Sequence, residues 1–303
     1  MNGILPLWKE KGMTSHDCVY KLRKILGTKK VGHTGTLDPN VEGVLPICIG
    51  QATKVAEYVT DSGKEYEAVV TIGRATETED ADGAVVLSDD SYKQISRTEI
   101  ESALEKLTGS IVQIPPMFSA VKVNGRKLYE YARKGIEVDR PERVVTIEKL
   151  ELLNPIQLYE GNDISFQIRI ACGKGTYIRT LAVQIGELLG YPAHMASLVR
   201  TVSGTYRHAD CRTLAEVTQL MSDGMIDTVI RPLEDALSDF PFVEIKDEEY
   251  VKVVHGQVLP AHPVLRNGSP IVFTKDDKAL AVYKMHPTKS GLMKPEKMFP
   301  VNT

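Results

Sequence analysis

The chain has 303 residues, 42% of them hydrophobic, and a net charge of −3. That length suits one large domain plus a small one, and no run of 18 apolar residues is present, so no membrane span is expected. The four cysteines, Cys18, Cys48, Cys172 and Cys211, are scattered without a CxxC pair, which argues against a zinc site and a disulfide framework and for a reduced, cytoplasmic setting. The N-terminus lacks the basic start and long apolar stretch of a signal peptide.

Residues 3–8 read as a short strand. Gly12 to Ser15 is a turn with Ser15 the expected N-cap, and Val19, Leu22, Ile25 and Leu26 predict a helix over 16–26. GHTGTLDPNVEGVLP follows at 32–46. Its glycines permit positive φ and close backbone approach, and Pro39 biases Asp38 away from helix. His33, Thr34, Thr36 and Asp38 crowd this loop, and the apolar run from Val44 to Ile49 reads as a buried strand. From the residues alone, Asp38 either serves a ligand or caps a neighbouring backbone group.

Residues 63–73 alternate as a strand and lead into the acidic stretch RATETEDADG at 74–83, which lacks EF-hand spacing and reads as a solvated turn. Ile100, Leu104 and Leu107 predict a helix over 97–107. The run QIPPMFSAVKVNG at 113–125 carries two prolines that set an extended hinge. Basic residues then interleave with Tyr129 and Tyr131 up to Arg143, a pattern that fits either phosphate gripping with base stacking or a solvated helix. Strands are expected over 143–153 and 163–171, and a helix over 176–189. Arg179 falls in its first turn, where a cation mildly opposes the helix dipole, which suggests a partner such as a carboxylate; the alternative is a surface arginine paired with Glu187 or with nothing. The GKGT at 173–176 lacks phosphate-loop spacing. Helices are expected over 211–222 and 226–236. Phe240-Pro-Phe242 marks a boundary, and alternating strands fill 243–303. Net charge is uneven: +3 over 1–60, −7 over 61–110, +3 over 111–204, −4 over 205–240 and +2 over 241–303. A basic face can therefore coexist with the acidic total.

KVGHTGTLDPNVEGVLP at 30–46 closely resembles the catalytic motif of TruB-type tRNA pseudouridine synthases, K-x-G-H-T-G-x-L-D-P-x-A-x-G-V-L-P, with Val41 in place of a small alanine. Four further runs follow the same family pattern: KEKGMTSH at 9–16, with Glu10 for a proline; KEYEA at 64–68; PPMFSAVKVNG at 115–125; and ACGKGTYIRTL at 171–181, with Gly173 for a serine. HMASLVRTVSG at 194–204 is similar to the family's A-x-x-x-L-x-R-x-x-x-G.

The resemblance implies isomerisation of the T-loop uridine at tRNA position 55, with base flipping and no cofactor or metal. It implies catalytic roles for Asp38, Tyr66 and Arg179, the last as a bidentate fork keeping Asp38 ionised. It puts Lys9, His33, Gly35, Thr36, Tyr177 and Leu198 at the substrate. The implied fold is α+β: a mixed, largely antiparallel sheet flanked by helices, over residues 1–240. It carries an RNA-gripping insertion at about 124–145 and a PUA-like β-barrel at 241–303. The implied partner is the tRNA T-arm, bound by a monomer away from membranes. Three alternatives compete with this reading: a non-catalytic RNA chaperone, a synthase of the guide-RNA-dependent branch, and a metal-dependent hydrolase built on His33, Asp38 and the acidic stretch. The last lacks a second histidine at metal-ligand spacing.

Overall fold

The computed structural model describes residues 1–300; residues 301–303, the end of the expected C-terminal unit, and the side chains of Arg266 and Asn267 lie outside the described residues. The expected α+β architecture is present. A nine-stranded sheet is built from β1 (Gly3–Lys9), β2 (Val31–His33), β3 (Glu42–Ile49), β4 (Lys64–Ile72), β5 (Gly109–Gln113), β6 (Arg143–Leu153), β7 (Ile164–Cys172), β8 (Ala193–Ser203) and β9 (Tyr206–Arg207). Its order is β1-β3-β8-β4-β7-β6-β5, with β2 added to β3 and β9 to β8. All pairings are antiparallel except β3 with β8, where Gly43 faces Arg200.

Alternation along β4 explains which side chains reach the site. Lys64, Tyr66, Ala68, Val70 and Ile72 turn to the buried face, as a period of two requires. Glu67 turns to the other face and pairs with Arg169 of β7 at 3.0 Å. The buried face is covered by α1 (Ser15–Ile25), α3 (Arg97–Lys106), α5 (Ile178–Leu189) and α6 (Leu214–Ser222). Cys18, Val19 and Leu22 come from α1, and Leu181, Ala182 and Ile185 from α5. Each fully buried aliphatic side chain of this kind contributes ~1.5–3 kcal/mol.

Two local expectations are corrected. Thr14, not Ser15, caps α1: its hydroxyl accepts from the Asp17 N–H at 3.0 Å, and the Asp17 carboxylate accepts from the Thr14 N–H at 2.8 Å. Ser15 instead turns inward to the Asp38 loop. The helix expected over 226–236 is two short 3₁₀ turns, Ile226–Thr228 and Leu233–Leu237. Pro232 separates them, because a proline disfavours helix at the residue before it.

On the far side of β1 and β3 lies a second apolar core. Ile4, Val44 and Cys48 meet Val55 and Val59, the latter on α2 (Ala56–Asp61), together with Leu237, Val272, Val282 and Phe299. The last three belong to the C-terminal region. There β10 (Phe242–Glu244), β11 (Leu259–Pro260), β12 (Ile271–Lys275), β13 (Lys278–Met285) and β14 (Leu292–Met298) form a curled sheet in the order β10-β12-β13-β14-β11. The helix α7 (Asp247–Val254) packs on it. Polar contacts reinforce this seam: Lys54 donates to the Met298 carbonyl at 2.8 Å, and Lys297 pairs with Glu57 at 2.7 Å. The four cysteines are free and buried.

Candidate active site

Between β2 and β3 the chain forms the loop that carries Asp38, and three anchors fix it. The Ser15 hydroxyl accepts from the Leu37 N–H at 2.8 Å and donates to the Leu37 carbonyl at 3.2 Å. Gly12 N–H donates to the Pro39 carbonyl at 2.9 Å. The Lys9 ammonium donates to the carbonyls of Val41 at 2.6 Å, Pro39 at 3.1 Å and Glu10 at 3.1 Å. Leu37 and Val41 are buried beneath it. Val41, where the motif expects alanine, thus fills core space beside the site.

Lys9 was expected at the substrate. It is 0% exposed, two of its N–H groups hold the loop and the third its neighbour Glu10, so it supports Asp38 from below and is not among the residues that line the cleft.

Asp38 opens into a cleft of about 280 Å³. That is just below the usual range for ligand pockets, about 300–1,000 Å³. Gly35, Thr36, Tyr66, Tyr177, Arg179 and Leu198 line it together with Asp38, so the structure brings together residues that span more than half the sequence. His33 sits on β2 outside this lining, half-buried, with its Nδ1 lacking a partner among the described residues. Burial pushes the His33 pKa down.

Burial raises the Asp38 pKa, the Arg179 guanidinium opposes that rise, and Asp80 adds to it. Arg179 Nε lies 3.2 Å from Asp38 Oδ2. The expected bidentate fork is not what the geometry contains. Nη1 donates to the Thr78 carbonyl and Nη2 to the Phe118 carbonyl, each at 2.9 Å, and Nη1 also lies 3.6 Å from Asp80. The planar guanidinium is therefore spread over two carboxylates and two carbonyls, which fixes its plane more firmly than one partner would. Arg179 is the second residue of α5, a costly place for a cation, and these acceptors offset that cost. The N-terminus of α5 is set by Gln113, whose amide accepts from the Tyr177 N–H at 2.9 Å and donates to the Tyr177 carbonyl at 3.2 Å.

The acidic stretch at 74–83 is only partly the solvated turn expected. Its ends pair as a ribbon, Arg74–Thr76 with Val85–Ser88. Between them Asp80 is largely buried against Arg179, and Glu79 accepts from the Thr180 hydroxyl at 2.7 Å. Among the described residues no group of three His, Cys, Asp or Glu side chains could hold a metal ion.

Tyr66 is 8% exposed. Burial raises its pKa, and the facing Arg200 opposes the rise. Leu198 stands on β8 beside it. Sequence reasoning missed four residues here: Lys64, Asp80, Gln113 and Arg200. Lys64 and Arg200 were accessible, because each lies two residues from a recognised position, Tyr66 and Leu198, and strand alternation puts both on the same face.

The chain is similar to known proteins over its full length. Residues 23–178 match the N-terminal domain of TruB family pseudouridylate synthases, and residues 179–238 match the C-terminal domain of tRNA pseudouridylate synthase B. A protein named tRNA pseudouridine synthase B from Listeria monocytogenes is 57% identical over 304 residues, covering 100% of this chain and 99% of the relative. Its namesake from Geobacillus thermodenitrificans is 54% identical over 301 residues, covering 99% of this chain and 100% of the relative. Among solved structures, a Cbf5-Nop10-Gar1 complex aligns with a TM-score of 0.73 at 28% identity, covering 98% of this chain and 84% of that one. An H/ACA RNP bound to a substrate RNA containing 2′-deoxyuridine aligns at 0.72 and 26% identity, covering 99% and 85%. The fold is thus that of a pseudouridine synthase, an isomerase. The chain belongs to the TruB family of pseudouridylate synthases.

Proposed function

We propose that this enzyme acts on tRNA, converting the T-loop uridine at position 55 to pseudouridine after flipping it out of the loop. The observation that carries the reading is the Asp38–Arg179 pair, 3.2 Å apart at the cleft, with Tyr66 and Leu198 lining the same cavity. The reaction breaks N1–C1′, turns the uracil and rejoins it through C5, with no net change in atoms or electrons. Asp38 acts on the ribose, and Arg179 keeps it ionised against burial. Tyr66 holds the detached ring by stacking, with its hydroxyl placed to assist removal of the C5 proton, and Leu198 is the apolar wall. Gly35, Thr36 and Tyr177 border the entering nucleotide, and His33 takes the stacking place vacated in the loop.

The insertion at about 124–145 grips the RNA backbone. Its exposed Arg126, Arg133 and Lys134 flank Tyr129, whose ring has Lys127 Nζ 5.4 Å and Arg133 Cζ 5.1 Å from its centroid. Residues 1–240 make the catalytic unit, and the curled sheet of 241–303 is a PUA-like RNA-binding unit. The protein works as a cytoplasmic monomer. A tRNA substrate is favoured by the full-length relatives named tRNA pseudouridine synthase B at 54–57% identity, against 26–28% for the Cbf5-Nop10-Gar1 and H/ACA RNP structures. Chemical mapping of pseudouridine across a whole unmodified tRNA tests this. One modified uridine, in the T-loop, is expected; modification elsewhere, or none, contradicts it.

A further inference from the structure

The cleft is electrically lopsided. At one side Arg179 is matched by Asp38 and Asp80. At the other stand Lys64 and Arg200, 8% and 1% exposed. Lys64 donates to the Thr60 and Ser62 carbonyls, both at 2.6 Å. Arg200 donates from Nε to the Val44 carbonyl at 2.7 Å and from Nη2 toward the Gly35 carbonyl at 3.5 Å. Neither forms an ion pair with a carboxylate among the described residues. The two cations converge: a Cβ added to Gly35 would lie 3.7 Å from Arg200 Nη1 and 3.9 Å from Lys64 Cε. Both line the cleft. Burying a cation without an anion is costly, and two side by side cost more. Burial first, and then the like charge of Arg200, pull the Lys64 pKa down to about 8, so Lys64 is still charged at neutral pH.

A missing anion must come with the substrate. A backbone phosphate stays at the RNA surface and is poorly placed to reach groups this deeply buried, whereas the base is the part that enters. Arg200 is the direct cross-strand partner of Tyr66, the residue assigned to hold that base. Breaking N1–C1′ leaves both bonding electrons on uracil, so the detached ring is an anion with its charge spread over O2 and O4. Those electrons form the new C5–C1′ bond, and the C5 proton then leaves.

We propose that Lys64 and Arg200 form a preorganised cationic wall that stabilises the detached uracil anion. The inference rests on the pseudouridine reading of this site. The electron-poor side of the reaction, the ribose at C1′, meets the carboxylate of Asp38, and the electron-rich side meets the two cations. Charge placed in advance where it develops is the largest usual source of catalysis.

The test compares uridine with 5-fluorouridine at the same position of a T-arm stem-loop, in single turnover, and reads for both the exchange of N1–C1′ for C5–C1′, because a C5 fluorine cannot leave as the C5 proton does and the fluorinated ring stops at the C5-linked, unaromatised product. Fluorine stabilises negative charge on the ring, so the fluorinated base depends less on the cations. Arg200→Met is expected to slow uridine rearrangement about 100-fold and 5-fluorouridine rearrangement less than about 10-fold, a differential loss of transition-state stabilisation. Arg200→Lys should recover much of the uridine rate, and RNA affinity should stay within about threefold, because phosphate contacts dominate it. Equal losses on both bases overturn the proposal. So does weakened binding with a salt slope lower by about 1, which would assign Arg200 to a phosphate. If Arg200→Met fails to fold, as its thermal melt would reveal, Lys64→Met makes the same comparison: a larger loss on uridine supports the wall, and equal losses overturn it. A wild-type enzyme that rearranges neither base would instead sink the pseudouridine reading itself.

Discussion

A carboxylate at work in a crowded cleft tends to hold its proton, and the side chain set against that tendency here is Arg179. Because burial raises the Asp38 pKa and Arg179 opposes it, turnover should fall as pH drops, with the break above the ordinary carboxylate value of about 3.9. Arg179→Lys should move that break upward and lower turnover about 10–100-fold, the worth of one charge-assisted hydrogen bond. A single ammonium cannot serve Asp38, the Thr78 carbonyl and the Phe118 carbonyl together. An unmoved break would show that the guanidinium does not govern the titration. The sign for stability is opposite to the usual aspartate. A raised folded pKa means ionised Asp38 costs the fold stability, none below the unfolded value and all of it above the folded one. Asp38→Asn should therefore melt slightly higher at pH 7, with the gap closing toward pH 3; since Asp38 is 43% exposed, the effect is small. At this scale the sequence was legible where a residue sits in a motif run, as Asp38, Tyr66 and Leu198 do. Asp38 was an expected partner of Arg179, but Thr78 and Phe118 were not, because they contribute carbonyls, which carry no side-chain signature.

Where β3 meets β8, an element-level constraint reaches the site. Gly43 has φ +134, and a Cβ there would lie 2.3 Å from the Arg200 carbonyl oxygen and 2.6 Å from its nitrogen. Both obstacles are backbone, so neither can swing away. Gly43→Ala should cost about 3 kcal/mol or more, read by denaturant unfolding, and should displace Arg200 from beside Tyr66. A loss below about 1 kcal/mol would mean that the parallel β3–β8 contact yields easily. The strands themselves were readable from alternation, and β4 and β7 lie within a residue or two of their expected spans. The order in which they pair was not readable, since β3 and β8 are about 150 residues apart. Alternation put Arg200 on the face of Leu198, but its pairing with Tyr66 across the strands was not readable. The acidic stretch misled for a related reason: Asp80 looks like any turn residue until α5 brings Arg179 against it.

For the molecule as a whole, the proposed function puts binding and chemistry on different parts. The insertion beyond β5 is tied to the cleft through backbone: Tyr129 N–H donates to the Ser119 carbonyl at 3.1 Å, next to the Phe118 carbonyl that Arg179 holds. Neutralising Arg126, Lys127, Arg133 and Lys134 together should lower the salt slope of RNA binding by about 2–3 while leaving the cleft intact. An unchanged slope would return the insertion to an ordinary solvated segment. Segment charges had pointed to a basic face here despite the acidic total, but they could not locate the shared core that fastens the C-terminal sheet to β1 and β3. That core gathers Val44 and Val282 into one apolar cluster, which no local pattern announces. The central claim is that Asp38 performs the isomerisation and contributes little to holding RNA. It is tested most directly with a T-arm stem-loop tritiated at uracil C5, because forming C5–C1′ must expel that label. Wild-type protein should release one label per RNA into water in excess EDTA, and Asp38→Asn should release none while binding the stem-loop within about tenfold of wild type. Release by Asp38→Asn at the wild-type rate, or none by the wild type, would contradict it.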